Sequence, residues 1–327
     1  MDNNFGYDPT DITSTWTRLR KASRRLQKTM DISWVKLDDT IMISSNGLPI
    51  PRHAASKIPT NLAKKSLLNN FLRKPDQGKA YKLTAQHPAS NHFLRDGKYT
   101  AFADWRFIHR ARLSVVPLHG LRRFGNLSSK CCRCGYPKET LAHVLNHCRK
   151  NLHLAIKRHN AVLRRLYRAV NDPNITIRCN QCVPGFEDNC RPDLVAINEV
   201  TKSATIIDVA IPFENGDDAF NQVRPLKTSK YAALTQFHRS QGYDTFCDAL
   251  VVGSLGGYDP SNIAVLQRLG IERNYSKTMA KLMVSNSIRW SRYIYLRHLG
   301  FEPRAAHQFL DHRSHPADSQ DTRRNCN

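Results

Sequence analysis

Apolar residues recur along this chain in two rhythms. In residues 12–30, ITSTWTRLRKASRRLQKTM, Ile12, Trp16, Leu19, Leu26 and Met30 fall near helical spacing, with Arg18, Arg20, Lys21, Arg24, Arg25 and Lys28 on the other faces; this predicts a basic amphipathic helix. Residues 46–60, with Gly47, Pro49, Pro51 and Pro59, read as a loop before a helix over 60–73. DWRFIHRARLSVVPLHG, 104–120, predicts a further basic helix ended by Pro117 and Gly120. A stripe of Leu152, Ile156, His159, Leu163, Leu166 and Val170 predicts the next helix, with His159 as a packed or hydrogen-bonding residue. The rhythm then changes to short apolar runs. Residues 192–197 and 204–211 predict two strands joined by a turn at 198–203. FCDALVVGSLG, 246–256, predicts a core strand, and helices are expected over 259–270 and 276–299, the last with Met279, Leu282, Met283 and Trp290 inward.

Charge changes the picture. The 327 residues carry a formal net charge of +23, and residues 1–172 hold 32 Lys+Arg against 11 Asp+Glu while 173–327 hold 18 against 16. A basic half with Trp16, Trp34, Tyr81 and Trp105 interspersed is the footprint of a protein that neutralises phosphates. Lys157, Arg158, Arg164, Arg165 and Arg168 on the helix after 151, together with Arg110 and Arg112, are the expected nucleic-acid contacts; Ile108 beside them is apolar and carries none. The basic cluster at 18–28 also suits a nuclear localisation signal. No leader or apolar run approaching 18 residues is present, so a soluble intracellular protein is expected, and its nine cysteines are expected to be thiols or metal ligands.

The sharpest local motif is CCRCGYPKETLAHVLNHC. Cys131, Cys134, His143 and Cys148 have the spacing Cys-x2-Cys-x8-His-x4-Cys, in which four soft ligands close a tetrahedron around structural zinc. Cys132 in place of Cys131 and His147 in place of His143 are alternatives. Cys179, Cys182 and Cys190 contain another Cys-x2-Cys half-site with no fourth ligand nearby.

Each predicted hairpin strand carries one acid among its apolar residues. Asp193 and Asp208 would face each other near one end of the sheet, and two carboxylates there call for a divalent cation, with oxygen ligands favouring Mg2+. Pro-Asp, 14 residues, then Asp on an apolar strand is the pattern of the PD-(D/E)xK nuclease fold. The lysine usual two positions after the second acid is Ala210 here, so Lys230, with Lys227 in reserve, is expected to serve from the helix over 226–237. FADW at 102–105 lacks the second Asp of a polymerase turn, and too few residues precede it for fingers and palm.

The series FLRDGKYTAFADWRFIHRARLSVVPLHG, CCRCGYPKETLAHVLNHC, RHNAV, RPDLV, IDVAIPFEN, KTSKY and IRWSRYIY resembles the C-terminal part of the polyproteins of site-specific non-long-terminal-repeat retrotransposons with a restriction-like endonuclease, over nearly the whole chain. There the order is reverse transcriptase, linker helices, Cys-Cys-His-Cys knuckle and endonuclease, which nicks target DNA so that the 3′ end primes reverse transcription. The resemblance implies that Asp193 and Asp208 bind the metal, that Lys230 is catalytic and that Cys131, Cys134, His143 and Cys148 form the knuckle. Pro225 and the missing polymerase core depart from the pattern. The expected fold class is α+β and multi-domain: an all-helical basic thumb-and-linker region (1–125), a zinc knuckle with its basic helix (126–172), an α/β restriction-like nuclease domain (173–302) and a disordered polar tail (303–327). A nuclear location, with the cytoplasm as the alternative, is expected, with target DNA and element RNA as partners and no membrane or small-molecule substrate. The competing expectation is an inactive nucleic-acid-binding remnant.

Overall fold

Helix α1 (Thr15–Met30) leads into a meander of β1 (Ile32–Leu37), β2 (Thr40–Ser45) and β3 (Leu48–Pro49), followed by α2 (Lys57–Leu72). The computed structural model describes residues 15–30, 32–37, 40–95, 97–121, 128–188, 190–216 and 218–302. Residues 12–14 of the expected first helix and the tail from 303 lie outside them. The strands correct the expectation of an all-helical start. Ile32 pairs with Ser45 and Leu37 with Thr40, and Asn46 and Gly47, at φ 49° and 75°, make the turn into β3. Two consecutive positive φ values suit an Asn-Gly hairpin turn. Helix α2 starts before the expected residue 60 because Pro59 sits in its first turn, where a missing N–H leaves no helical bond unmade.

These elements belong to one compact unit, Met1–Lys74, and the rest of the chain forms a second, Pro75–Asn327. The expected boundaries at 125 and 172 both lie inside the second unit. It contains α3 (Gln77–Thr84), α4 (Phe102–Arg112), α5 (Leu152–Ala169), β4 (Ile175–Arg178), β5 (Leu194–Asn198), β6 (Ser203–Ala210), α6 (Asp218–Asn221), α7 (Val223–Lys230), α8 (Ala232–Ser240), β7 (Asp244–Val251), α9 (Asn262–Arg268) and α10 (Arg273–His298). Helix α4 stops well short of Pro117 because Ser114 takes a left-handed φ of 53°. The helix expected over 226–237 is two, broken at Tyr231, and Pro225 falls harmlessly in the first turn of α7.

The sheet is mixed, in the order β4-β5-β6-β7, with β6 and β7 parallel and the other pairs antiparallel. Alternation assigns its faces. Leu194, Ala196, Ile207 and Val209 join the main core, which also holds residues of α4, α5 and α10, whereas Val195 and Ile206 pack with Tyr231 and Leu234. With both faces covered, β6 is buried almost throughout, so a carboxylate on it needs partners. Leu141, Val144 and Leu145 of the Cys/His segment belong to the same main core, which makes that segment part of the second unit's interior. No described helix is long and apolar enough to cross a membrane.

The buried face of α5 matches the expected stripe at Leu163, Leu166 and Val170 and departs from it at the start of the helix. Leu152 and Ile156 are exposed, and Leu154, Arg158, Val162, Leu163 and Leu166 are buried. Arg158, 2% exposed, donates to Ser291 Oγ (2.9 Å), Leu145 O (3.1 Å) and Asn146 Oδ1 (3.2 Å). Arg112, 3% exposed, donates to Leu255 O, Asn91 Oδ1 and Ser90 O. Burial lowers both guanidinium pKa values to about 10, with Glu214 opposing the shift. Glu214 is itself buried and accepts from Leu255 N (2.9 Å) and Gly257 N (2.8 Å). A Cβ on Gly253 would lie 2.0 Å from Glu214 Oε1, so the loop must be glycine there.

These bonds correct two nucleic-acid assignments: the guanidinium groups of Arg112 and Arg158 are spent inside the fold and cannot meet phosphate. Arg165 is half-buried and bonded to Asn286 Oδ1 at 3.3 Å, while Arg110, Lys157, Arg164 and Arg168 stay exposed. Arg158→Ala is therefore expected to lower unfolding stability by about 3 kcal/mol, since buried acceptors lose their donor. Arg164→Ala is expected to leave stability within about 0.5 kcal/mol and to reduce the salt slope of DNA binding by about one. Urea melts and binding at two salt concentrations check the pair.

Candidate metal and nuclease sites

The Cys/His segment turns on Gly135, at φ 74°, with Cys131 N–H donating to Tyr136 O (2.8 Å) and Gly135 N–H to Cys131 O (2.9 Å). This turn brings Cys131 and Cys134 to one point, and a wide turn over His143–His147 delivers His143 and Cys148. The ligand atoms of Cys131, Cys134, His143 and Cys148 all lie within 4.8 Å of one another. Cys134 Sγ is 3.2 Å from His143 Nε2, and Cys131 Sγ is 4.0 Å from Cys148 Sγ. Tyr136 stacks on the His143 ring at 4.5 Å. Burial pushes the Cys148 thiol up to about 12 and holds His143 below its usual value. A neutral imidazole is ready to ligate, and a cation would draw the thiols into their ionised form. The four residues can hold a metal such as zinc.

Cys132 and His147 are not in that set. Cys132 Sγ instead lies 3.5 Å from His298 Nε2, at the end of α10. His298 Nδ1 faces the Asn151 amide at 3.1 Å, which leaves Nε2–H to donate to Glu139 Oε1 at 2.8 Å. Glu139 also accepts from Cys132 N–H (2.9 Å) and His119 N–H (2.7 Å), and although burial opposes it, these bonds depress its pKa to about 2. Glu139 thus ties the Cys turn to both α10 and the segment after α4. Cys131, Glu139 and His298 make the other close group among the described residues, and Cys179, Cys182 and Cys190 belong to neither.

The hairpin acids are placed by register. Leu194 pairs with Ile207, so one step further Asp193 stands beside Asp208 at the mouth of the β5–β6 hairpin. Asp193 Oδ2 accepts from Val209 N–H at 2.6 Å and from His159 Nε2 at 3.0 Å. His159 Nε2 is also 3.2 Å from Val209 O, and Nδ1 is 3.1 Å from Asn160 Oδ1. Burial pulls the His159 pKa down, but the hydrogen bond and charge of Asp193 more than offset it, and the net shift is upward.

Asp208 is only 4% exposed, yet it is not alone. Lys227 Nζ lies 2.5 Å from Oδ2, and the Tyr231 hydroxyl donates a short hydrogen bond to Oδ1. Burial, then Asp208, push the Tyr231 pKa far up, so the phenol remains a donor. Lys230 is exposed and its Nζ donates to Tyr231 Oη at 2.9 Å. The order expected for the lysines is thereby reversed in geometry: Lys227 touches the acid, and Lys230 reaches it only through Tyr231. His159, expected as a packed or hydrogen-bonding residue, bonds Asp193, and Tyr231 completes the set without having been singled out. The break after α7 that aims Tyr231 inward has no Gly or Pro to signal it. Asp104 of FADW lies elsewhere, buried against Arg289 and Arg292.

Asp193, Asp208 and the Val209 carbonyl offer hard oxygen donors, the kind Mg2+ takes. Asp193 already bonds His159 and Asp208 already bonds Lys227, and among the described residues the pair is not part of a close group of three Cys, His, Asp or Glu ligands. Neither a protein-family model nor a curated protein matches this chain.

Proposed function

We propose that the second unit is a metal-dependent DNA endonuclease of the restriction-like kind, belonging to the C-terminal part of a retrotransposon polyprotein and nicking target DNA to prime reverse transcription. The observation that carries this reading is the hairpin register, which sets Asp193 beside Asp208 with Lys227 2.5 Å from the second acid. Mg2+ held by the two acids would neutralise the scissile phosphate and lower the pKa of a water. Lys227 is placed to steady the developing charge on that water or phosphate. Tyr231 orients Asp208, and His159 orients Asp193. Exposed Lys157, Arg164 and Arg168 on α5, with Arg110 on α4, supply phosphate contacts that fix register without reading sequence. Cys131, Cys134, His143 and Cys148 would hold a closed structural zinc. Element RNA as a second partner and a nuclear location go with the resemblance.

One observation favours the other reading, a binding remnant. Each acid already has a protein partner, His159 for Asp193 and Lys227 for Asp208. The two readings part in a plasmid assay. Zinc-loaded protein should nick supercoiled DNA when Mg2+ or Mn2+ is added and not in buffer lacking added divalent cation; a chelator is avoided because it would also strip the Cys/His site. Absence of nicking with either cation would leave the remnant reading in possession.

A further inference from the structure

The outward side of α4 carries rings. Phe102 is 70% exposed and Trp105 37%. Their planes lie 12° apart with centroids at 5.6 Å, and Trp105 meets His109 edge-on at 4.3 Å. The spacing i, i+3, i+7 puts all three on one helical stripe. Around the stripe the charge is of one sign. The Arg106 guanidinium carbon is 6.0 Å from the Phe102 centroid, and Arg110 is exposed one turn further on. The only acid of the helix, Asp104, is 2% exposed and is held by Arg289 at 3.4 Å and Arg292 at 3.5 Å, whose side chains remain 38% and 31% exposed.

We propose that this face binds single-stranded DNA, with unpaired bases stacking on Phe102 and Trp105 and backbone phosphates lying against Arg106, Arg110, Arg289 and Arg292. An exposed aromatic stack costs apolar hydration, and a partner that supplies flat rings removes that cost. A duplex cannot be that partner, because its bases already stack on one another and present only edges in the grooves. An apolar protein surface fits poorly, since it would bury Arg106 and Arg110, for which α4 has no acid beyond the Asp104 already shared by Arg289 and Arg292. Bases stack on aromatic rings irrespective of sequence while cations follow the phosphates, the combination used by single-strand binders. A 2′-hydroxyl would find there only guanidinium N–H donors, which the phosphates engage, so RNA gains nothing over DNA. None of these residues belongs to the set around Asp193 and Asp208.

Fluorescence anisotropy of the full chain, without added divalent cation, tests this independently of cleavage. The probes are a labelled oligothymidylate of about 20 nucleotides, the corresponding duplex and an oligouridylate. Replacing Phe102 and Trp105 together by alanine should weaken oligothymidylate binding by about tenfold or more and duplex binding by less than about twofold, with an unchanged melting temperature. Trp105→Phe should keep most of the affinity and Trp105→Leu should not; this comparison decides the matter if the double variant melts early. Equal losses on single strand and duplex, no loss on either, or tighter binding of oligouridylate than of oligothymidylate would overturn the proposal.

Discussion

Asp208→Ala protein is expected to nick supercoiled plasmid at least about a thousandfold more slowly than the parent while binding DNA as well or slightly better. Asp208 stands where a metal, Lys227 and Tyr231 would all converge, so its loss removes the cation site and the acid that positions both side chains. Binding survives because a negative charge near phosphate has gone. Lys227→Ala should cost about a hundredfold, within the range for a group acting on a proton or a developing charge. Lys230→Ala should cost less than about fivefold, because Lys230 bonds Tyr231 and not the acid. The ordering Asp208, Lys227, Lys230 is the informative part. Nicking rates at saturating Mg2+ measure it, and a Lys230 effect larger than that of Lys227 would mean that the α7 side chains rearrange on binding DNA.

A large effect is also expected from the Cys/His site. Purified protein should carry about one zinc per chain, and Cys134→Ser should lose it, because a closed tetrahedral site has no spare ligand. The damage should extend beyond the knuckle turn. Leu141, Val144 and Leu145 sit in the main core, and Glu139 bonds His298 at the end of α10. Structural zinc in small modules is worth about 10 kcal/mol or more of folding free energy, and losing a part of that exceeds the margin of most domains. Cys134→Ser protein should therefore melt at lower temperature and expose the end of α10 to amide exchange, whereas Cys132→Ser should keep its metal. Retained zinc in Cys134→Ser would shift the site to the group of Cys131, Glu139 and His298.

Much of this arrangement is legible in the sequence. The β5–β6 hairpin and the positions of its two acids follow from apolar runs of strand length separated by a polar turn, and the Cys/His cluster follows from ligand spacing. What escaped has particular causes. The β1–β3 meander was announced by Asn46-Gly47, the strongest short hairpin signal, but the prolines after it pull the reading toward an irregular loop. Strand β4 is four residues long and only partly buried, too short for periodicity to register. The stripe on α5 holds at Leu163, Leu166 and Val170 but fails at its start, because Arg158, a residue ordinarily placed in water, fills the inner face while Leu152 and Ile156 stay out. Burial of this arginine depends on three acceptors outside its helix, one of them 133 positions away at Ser291, which no local pattern encodes. His159 faces Asp193 across 34 positions for the same reason.

Asp193 is bonded to His159 and Asp208 to Lys227, so metal binding tests the nuclease reading more directly than turnover. Zinc-loaded protein should be titrated calorimetrically with Mn2+, alongside Asp193→Asn and Asp208→Asn. The account predicts one Mn2+ site in the parent that both variants lose, with the zinc content of all three proteins unchanged. A parent that binds no Mn2+, or variants that bind it as the parent does, would mean that Asp193 and Asp208 serve only His159 and Lys227, and the nuclease assignment would fall.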